Sequence, residues 1–297
     1  MEKYKNFING KWLDNESKET IKVEDPATAK IIGEIACAKK TEVDLAVNAA
    51  KESYKSRILV DMPLLERAKL MHKIADETRK IADEGGKILC YENGKSLPAA
   101  IKEFNDVADM FDYYAGLTDK IENKFIKSGN DTFNYTLLEP FGVSLQIIPW
   151  NYPIVLFARS VAVNLVVGNT SVVKTPELCP LSSNYFGKVF EIVGMPKGIV
   201  NIVHGYGEVT GRKLVKHKNV NQVVFTGSPE VASEILKETA DRIIPCHLEL
   251  GGKSAAIIYP DADINQAVES TVKGIFKPNA GQICVAMSRI IVHPKIK

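Results

Sequence analysis

Three separated side chains carry chemistry if folding brings them together: the thiol of Cys284, the carboxylate of Glu249 and the carboxamide of Asn151. Cys284 closes the stretch Asn279-Ala280-Gly281-Gln282-Ile283-Cys284. The plain role of a cysteine is a small buried hydrophobe. The sharper role is a nucleophile, which needs an activating base or an electropositive setting and a donor for the oxyanion its attack creates. Glu249, in Glu249-Leu250-Gly251-Gly252, is the acid available as general base, with helix capping as its plainer use. Asn151 stands between Trp150 and Tyr152 in a turn bounded by Pro149 and Pro153. A rigid turn can aim its amide at an oxyanion, or the side chain can simply close an Asx turn.

A second group of residues suits a dinucleotide. No G-x-G-x-x-G fingerprint is present, but Phe225-Thr226-Gly227-Ser228-Pro229-Glu230 follows an apolar run. Gly227 permits a tight turn, Ser228 can cap a helix and Pro229 suits its first position. Free N–H groups at such a start can hold a pyrophosphate. Lys174-Thr175-Pro176-Glu177 also follows an apolar run; Lys174 and Glu177 can bond ribose hydroxyls or form a surface charge pair.

The elements that must position these groups are legible in outline. From residue 142 apolar strands at 142–148, 170–174, 199–203, 222–225 and 254–258 alternate with helices at 153–167, 180–193, 207–218 and 229–240. That rhythm predicts an α/β fold, a Rossmann-like parallel sheet with helices on both faces. Ligands of such sheets bind at the carboxyl ends of the strands, where 149–153, 174–177 and 226–228 fall. Upstream, Asn9-Gly10 predicts a hairpin and residues 31–36 a strand. Helices are predicted at 41–56, opened by Thr41, and at 64–84 and 98–116, with Gly85-Gly86 and Asn93-Gly94 as punctuation. Residues 121–140 read as a β-hairpin, marginal alone, that docks on something larger such as another subunit.

At 297 residues the chain can bury a sizeable core. A net charge of +2 from interspersed charges points to no nucleic-acid or anionic-membrane surface. Five scattered cysteines without a C-x-x-C pair, and five unclustered histidines, argue against a metal site and for a reducing, cytoplasmic setting. Residues 1–12 lack the apolar core of a leader peptide, and the apolar stretch 154–167 is interrupted by Arg159, Ser160 and Asn164.

Taken in order, Pro149–Pro153, Lys174–Glu177, Gly207 with Gly211, Phe225–Ser228, Glu249–Gly252 and Gly281–Cys284 resemble the segments of the aldehyde dehydrogenase superfamily. The resemblance covers essentially the whole chain. It implies an NAD(P)+-dependent, non-acylating enzyme that oxidises an aldehyde to its acid. In this scheme Cys284 attacks, Asn151 and the Cys284 N–H hold the oxyanion, and Glu249 activates the water that releases the thioester. Pro149, Trp150, Lys174, Glu177, Gly207, Gly211, Phe225, Thr226, Gly227, Ser228, Leu250 and Gly251 are the implied cofactor contacts. Glu177 favours NAD+ over NADP+, because a carboxylate repels a 2′-phosphate, while Lys174 can offset that repulsion, so the expected cofactor is NAD(P)+.

The resemblance further implies a homo-oligomer, dimer or tetramer, built through hairpin 121–140. It divides the chain into a dinucleotide-binding domain at 1–251 and the beginning of a catalytic domain at 252–297. Family members run considerably longer, so the expectation is an amino-terminal portion whose complete activity needs residues beyond 297. A catalytically incomplete nucleotide-binding or assembly module is the alternative. Ala232, Ser160 and Glu208 depart from the common residues of the family, a glycine, a lysine and a proline. Arg159-Ser160 is similar to the pair in some aromatic-aldehyde oxidisers.

Overall fold

A computed structural model describes residues 3–277 and 279–297. Of the amino-terminal stretch read for a leader, Met1 and Glu2 lie outside the described residues. The chain opens with β1 (Lys3–Tyr4), β2 (Asn6–Ile8), β3 (Lys11–Leu13), β4 (Thr20–Asp25) and β5 (Lys30–Ala36). Asn9 and Gly10, at φ 52° and 70°, form the expected tight turn between β2 and β3.

Four helices follow: α1 (Lys40–Lys55), α2 (Leu64–Lys80), α3 (Ala82–Asn93) and α4 (Leu97–Ala115). Two expectations need correction here. Thr41 does not open α1; the cap is Lys39, whose backbone N–H is held by Glu42, while the Thr41 hydroxyl bonds Glu16. Gly85-Gly86 does not end a helix either, because the helix read over 64–84 stops at Lys80 and both glycines lie inside α3. A Cβ at Gly85 would sit 2.4 Å from the Phe104 ring, and one at Gly86 2.7 Å from Ile101. The pair is there to let α3 approach α4, which a pattern reading mistakes for a breaker.

β6 (Phe125–Lys127) and β7 (Phe133–Tyr135) form the expected antiparallel hairpin, with every side chain of both strands exposed. The remaining elements are β8 (Val143–Ile147), α5 (Pro153–Val167), β9 (Thr170–Lys174), α6 (Asn184–Ile192), β10 (Val200–Val203), a π-helical turn (Gly207–Gly211) running into α7 (Arg212–Lys216), β11 (Gln222–Gly227), α8 (Pro229–Ala240), β12 (Cys246–Leu250), β13 (Ala255–Ile258), α9 (Ile264–Ile275), β14 (Arg289–Val292) and a closing 3-10 turn (Pro294–Ile296). The helix read over 207–218 is thus a wide turn plus a short helix, and that over 180–193 begins only at Asn184.

The main sheet runs β12-β11-β8-β9-β10-β2-β3. Its first five strands are parallel, and β2 and β3 continue it antiparallel. Two changes from the sequence reading matter. Residues 254–258 do not join this sheet but pair with β14 in a separate two-stranded sheet. The fifth parallel strand is instead β12, whose Cys246-His247-Leu248-Glu249-Leu250 alternation went unread. α1, α7 and α8 cover one face through Val47, Leu214, Ile235 and their neighbours. α2, α4, α5 and α6 cover the other through Ile74, Phe111, Phe157 and Phe186. Adjacent side chains of one strand join opposite cores, Val172 one and Val173 the other, which is why these strands are apolar throughout. Ala232 packs in the α8-side core, 2% exposed.

Candidate active site

The strand order reverses between β8 and β11, since β9 and β10 extend from one side of β8 and β11 and β12 from the other. A doubly wound sheet opens a crevice at that point, beyond the carboxyl ends of its strands. The segment after β8 is Ile148–Tyr152 and the segment after β11 is Ser228, so the turn holding Asn151 and the start of α8 flank the opening.

α5 has no capping side chain of its own. Its first N–H groups are taken by a distant carboxylate: Glu103 Oε1, from α4, accepts from Ile154 N and Val155 N at 3.1 Å each. A negative charge there also suits the helix dipole. The turn before the helix is fixed through its carbonyls. Trp150 O accepts from Asn93 Nδ2 at 2.8 Å and from Cys179 Sγ at 2.9 Å. Asn151 O accepts from Asn279 Nδ2 at 2.7 Å and Lys95 Nζ at 3.1 Å.

The Asn151 side chain reaches across 131 residues of sequence, donating from Nδ2 to Gln282 O at 2.9 Å. It therefore docks on the loop of Cys284 and does not close a local Asx turn. The loop reverses at Ala280 and Gly281, φ 51° and 85°, and presents an exposed Cys284. Among the described residues no hydrogen bond engages the Cys284 backbone N–H. Among the described residues, the second N–H of the Asn151 amide is likewise unengaged. Tyr152 lies within reach of Cys284; burial, then the charges of Glu103 and Cys284, push its phenol up to about 12.

Glu249 is the penultimate residue of β12, on the α5 side of the sheet. Its carboxylate is 3.2 Å from His247 Nε2 and about half exposed. It lines a crevice of ≈ 480 Å³ together with His247, Arg159, Ser160, Tyr114 and Gln146. Arg159 donates to Thr226 Oγ1 at 3.2 Å, and Thr226 is the register partner of Glu249. The Cys284 loop adjoins the end of this strand: a Cβ on Gly252 would lie 4.0 Å from Cys284 O. Asn151 and the Cys284 loop are in direct contact, whereas Glu249 approaches them through backbone and turns its side chain to His247.

The dinucleotide candidates gather on the same edge. Lys174, 3% exposed, ends β9 and pairs with Glu177, so the pair is buried at its cationic end and is no surface couple. Burial lowers the Lys174 ammonium, which Glu177 only partly offsets. Burial also acts to raise Glu177, but Lys174 outweighs it and leaves that carboxyl lowered. Glu177 Oε1 accepts from Gly207 N at 3.3 Å, tying this corner to the π-helical turn that holds Gly211. Phe225 is buried, and its ring is the reason for Gly227, where a Cβ would sit 2.3 Å away. Ser228 caps α8, accepting from Val231 N at 3.3 Å. Gly251 N donates to Gly227 O at 3.3 Å and Leu250 is the register partner of Gly227. Pro149 is half-buried and Trp150 is exposed.

The supporting residues Asn93, Lys95, Glu103 and Asn279 were missed from sequence. Glu103 carried a signal, since it shares the apolar stripe of α4 with Ala100 and Val107. Asn93 and Lys95 flank Gly94 and read as an ordinary turn.

Residues 12–297 match the sequence profile described as the aldehyde dehydrogenase family. The hydroxyisobutyraldehyde dehydrogenase of Mycolicibacterium austroafricanum is 38% identical over 290 residues, 98% of this chain and 57% of that protein. Aldehyde dehydrogenase family 2 member B4, a mitochondrial protein of Arabidopsis thaliana, is 40% identical over 295 residues, 98% of this chain and 54% of its own length. The NAD+ complex structure of an aldehyde dehydrogenase from Bacillus cereus superposes with a TM-score of 0.96 at 37% identity, over 99% of this chain and 60% of that one. The chain thus spans little more than half the length of these relatives. No described helix is long and apolar enough to cross a membrane. With sequence and backbone agreeing along nearly its whole extent, the chain belongs to the aldehyde dehydrogenase family.

Proposed function

We propose that the chain carries the nucleophile, oxyanion donors and dinucleotide cradle of an NAD(P)+-dependent enzyme that oxidises an aldehyde to its carboxylic acid. The observation that carries this reading is the docking of the Asn151 amide on the Cys284 loop at the sheet's switch point. The Cys284 thiolate adds to the aldehyde carbonyl, and the oxyanion so formed is met by Asn151 Nδ2 and the Cys284 N–H. Once the thiohemiacetal has lost hydride, a thioester remains on Cys284. Glu249, turned from His247 towards the Gly252 end of β12, takes a proton from the water that releases the acid.

The residues present fit NAD(P)+. The twelve-residue helix α8 offers a capped N-terminus behind Gly227, where any Cβ would strike Phe225. The half-exposed Glu177 carboxylate, held by Lys174 and Gly207, has lone pairs left for ribose hydroxyls and favours NAD+. Pro149, Trp150, Gly211, Thr226, Leu250 and Gly251 would complete the cradle. The bound dinucleotide supplies the hydride acceptor.

The oligomer belongs to the same proposal: Phe125, Phe133 and Tyr135 on the hairpin are more than 60% exposed, a surface suited to a second copy of the chain. So do the division at residue 251, with β13 and β14 beginning the second unit, and a cytoplasmic setting. The test combines calorimetric titration with NAD+ and NADP+ and mass spectrometry of the Cys284 peptide after exposure to aldehyde and dinucleotide. An acyl adduct confined to Cys284 is expected, absent from Cys284→Ala while dinucleotide binding persists. Dinucleotide binding with Cys284 unmodified would favour the nucleotide-binding module instead, and turnover by Cys284→Ala would remove the sulfur from its role.

A further inference from the structure

Lys95 is a buried cation that the scheme above does not use. Its side chain is 1% exposed and its ammonium donates two hydrogen bonds. One meets Glu103, the carboxylate that caps α5 through Ile154 N and Val155 N. The second goes to Asn151 O at 3.1 Å. The ammonium also stands 4.5 Å from the centre of the Tyr152 ring. The same Asn151 carbonyl accepts from Asn279 Nδ2 at 2.7 Å, and Asn279 belongs to the Cys284 loop. With both lone pairs of that oxygen taken, from α4's side and from the nucleophile's side, the Asn151 peptide plane cannot rotate without losing one bond. Its side chain, which leaves the same residue towards Gln282 O, inherits that orientation.

We propose that Lys95 is a positioning residue: clamped by Glu103, it fixes the Asn151 peptide and thereby aims the Asn151 amide at the oxyanion formed on Cys284. The proposal rests on the reading of Asn151 and Cys284 given above. It predicts that loss of the ammonium slows reactions of Cys284 that pass through an oxyanion and spares those that do not. Two probes separate these on the 297-residue chain. With p-nitrophenyl acetate the Cys284 thiolate attacks the ester carbonyl, the C–S bond forms, and the acyl C–O bond breaks to release p-nitrophenolate. With iodoacetamide the thiolate displaces iodide at a saturated carbon and no oxyanion arises. Rates at Cys284 are read from its peptide by mass spectrometry.

Lys95→Met alone strands the Glu103 charge in the interior, so the paired variant Lys95→Met/Glu103→Gln is measured beside it, with thermal melting as a check on folding. Asn151→Ala is expected to slow acylation by roughly 10²–10³ fold, the cost of one oxyanion donor, with alkylation unchanged. The paired variant is expected to slow acylation by about tenfold or more within that ceiling, again sparing alkylation, and to add nothing in the Asn151→Ala background. Normal acylation by the paired variant, with Asn151→Ala still slow, would sink the Lys95 proposal and leave the oxyanion reading standing. Fast acylation by Asn151→Ala would remove both. Equal slowing of the two probes would show Lys95 to be merely structural.

Discussion

His204 and Glu92, both fully enclosed beside the candidate site, should give this protein two opposed pH dependences that hide each other. His204 follows β10 and contacts Thr175 Oγ1 at 2.7 Å and Asn184 Nδ2 at 3.1 Å. Burial, helped by the Lys174 charge, pushes its imidazole down from 6.5 to about 4. Glu92, near the end of α3, accepts from Leu181 N at 2.6 Å and Ser182 N at 3.0 Å, yet burial outweighs these donors and raises it from 4.5 to about 7. Each difference is about 2.5, which at ~1.36 kcal/mol per pH unit is about 3 kcal/mol.

The signs are opposite. Folded His204 binds its proton less tightly than the unfolded chain does, so its contribution is complete above pH 6.5 and lost as pH falls towards 4. Folded Glu92 keeps a proton that the unfolded chain releases, so its contribution is complete below pH 4.5 and lost as pH rises towards 7. Urea unfolding at pH 4, 5, 6 and 7, at fixed ionic strength, reads both as differences between profiles. Relative to wild type, Glu92→Gln should lose stability progressively on acidification, by about 3 kcal/mol across the window. His204→Asn should show the reverse slope with a similar span. Parallel profiles for wild type and either variant would refute the claim that burial governs that group.

Three further outcomes follow. Gly85→Ala drives a methyl into the Phe104 ring and should cost about 1–3 kcal/mol in chemical denaturation, with Ala elsewhere on α3's exposed face neutral. Ser228→Ala removes the cap of α8 and should lower stability by about 0.5–2 kcal/mol while weakening calorimetric NAD+ binding; undiminished binding would place the pyrophosphate elsewhere. Glu249→Gln should let the acyl adduct on Cys284 accumulate in mass spectra after aldehyde and dinucleotide are mixed, whereas rapid clearance of the adduct would exclude the carboxylate as base.

Much of the architecture followed from local pattern. The strand read over 170–174 and the helices read over 153–167 and 229–240 are where they were expected, because unbroken apolar runs, Pro at a helix start and Gly at its end act on neighbouring residues. The same local rules failed where a distant partner decided. Gly85-Gly86 read as a stop until α4 supplied Phe104 as its reason. Thr41 resembled a cap because the pattern cannot show Glu42 folding back on Lys39. Residues 254–258 had the composition of a core strand, but only hydrogen-bond partners assign a strand to a sheet, and theirs are in β14.

For the candidate site the division is sharper. The amino-acid sequence by itself determined which groups are capable of chemistry, a thiol, a carboxylate, an amide and a capped helix start, and their order along the chain. Tertiary structure alone decided that Asn151 meets the Cys284 loop, that Lys174 is buried while Glu249 is half exposed, and that Lys95 and Glu103 hold the turn from beneath. The physical reason is range. Capping, turns and amphipathic periodicity arise within a few residues, whereas a hydrogen bond spanning 131 residues exists only after a sheet has closed the intervening loop.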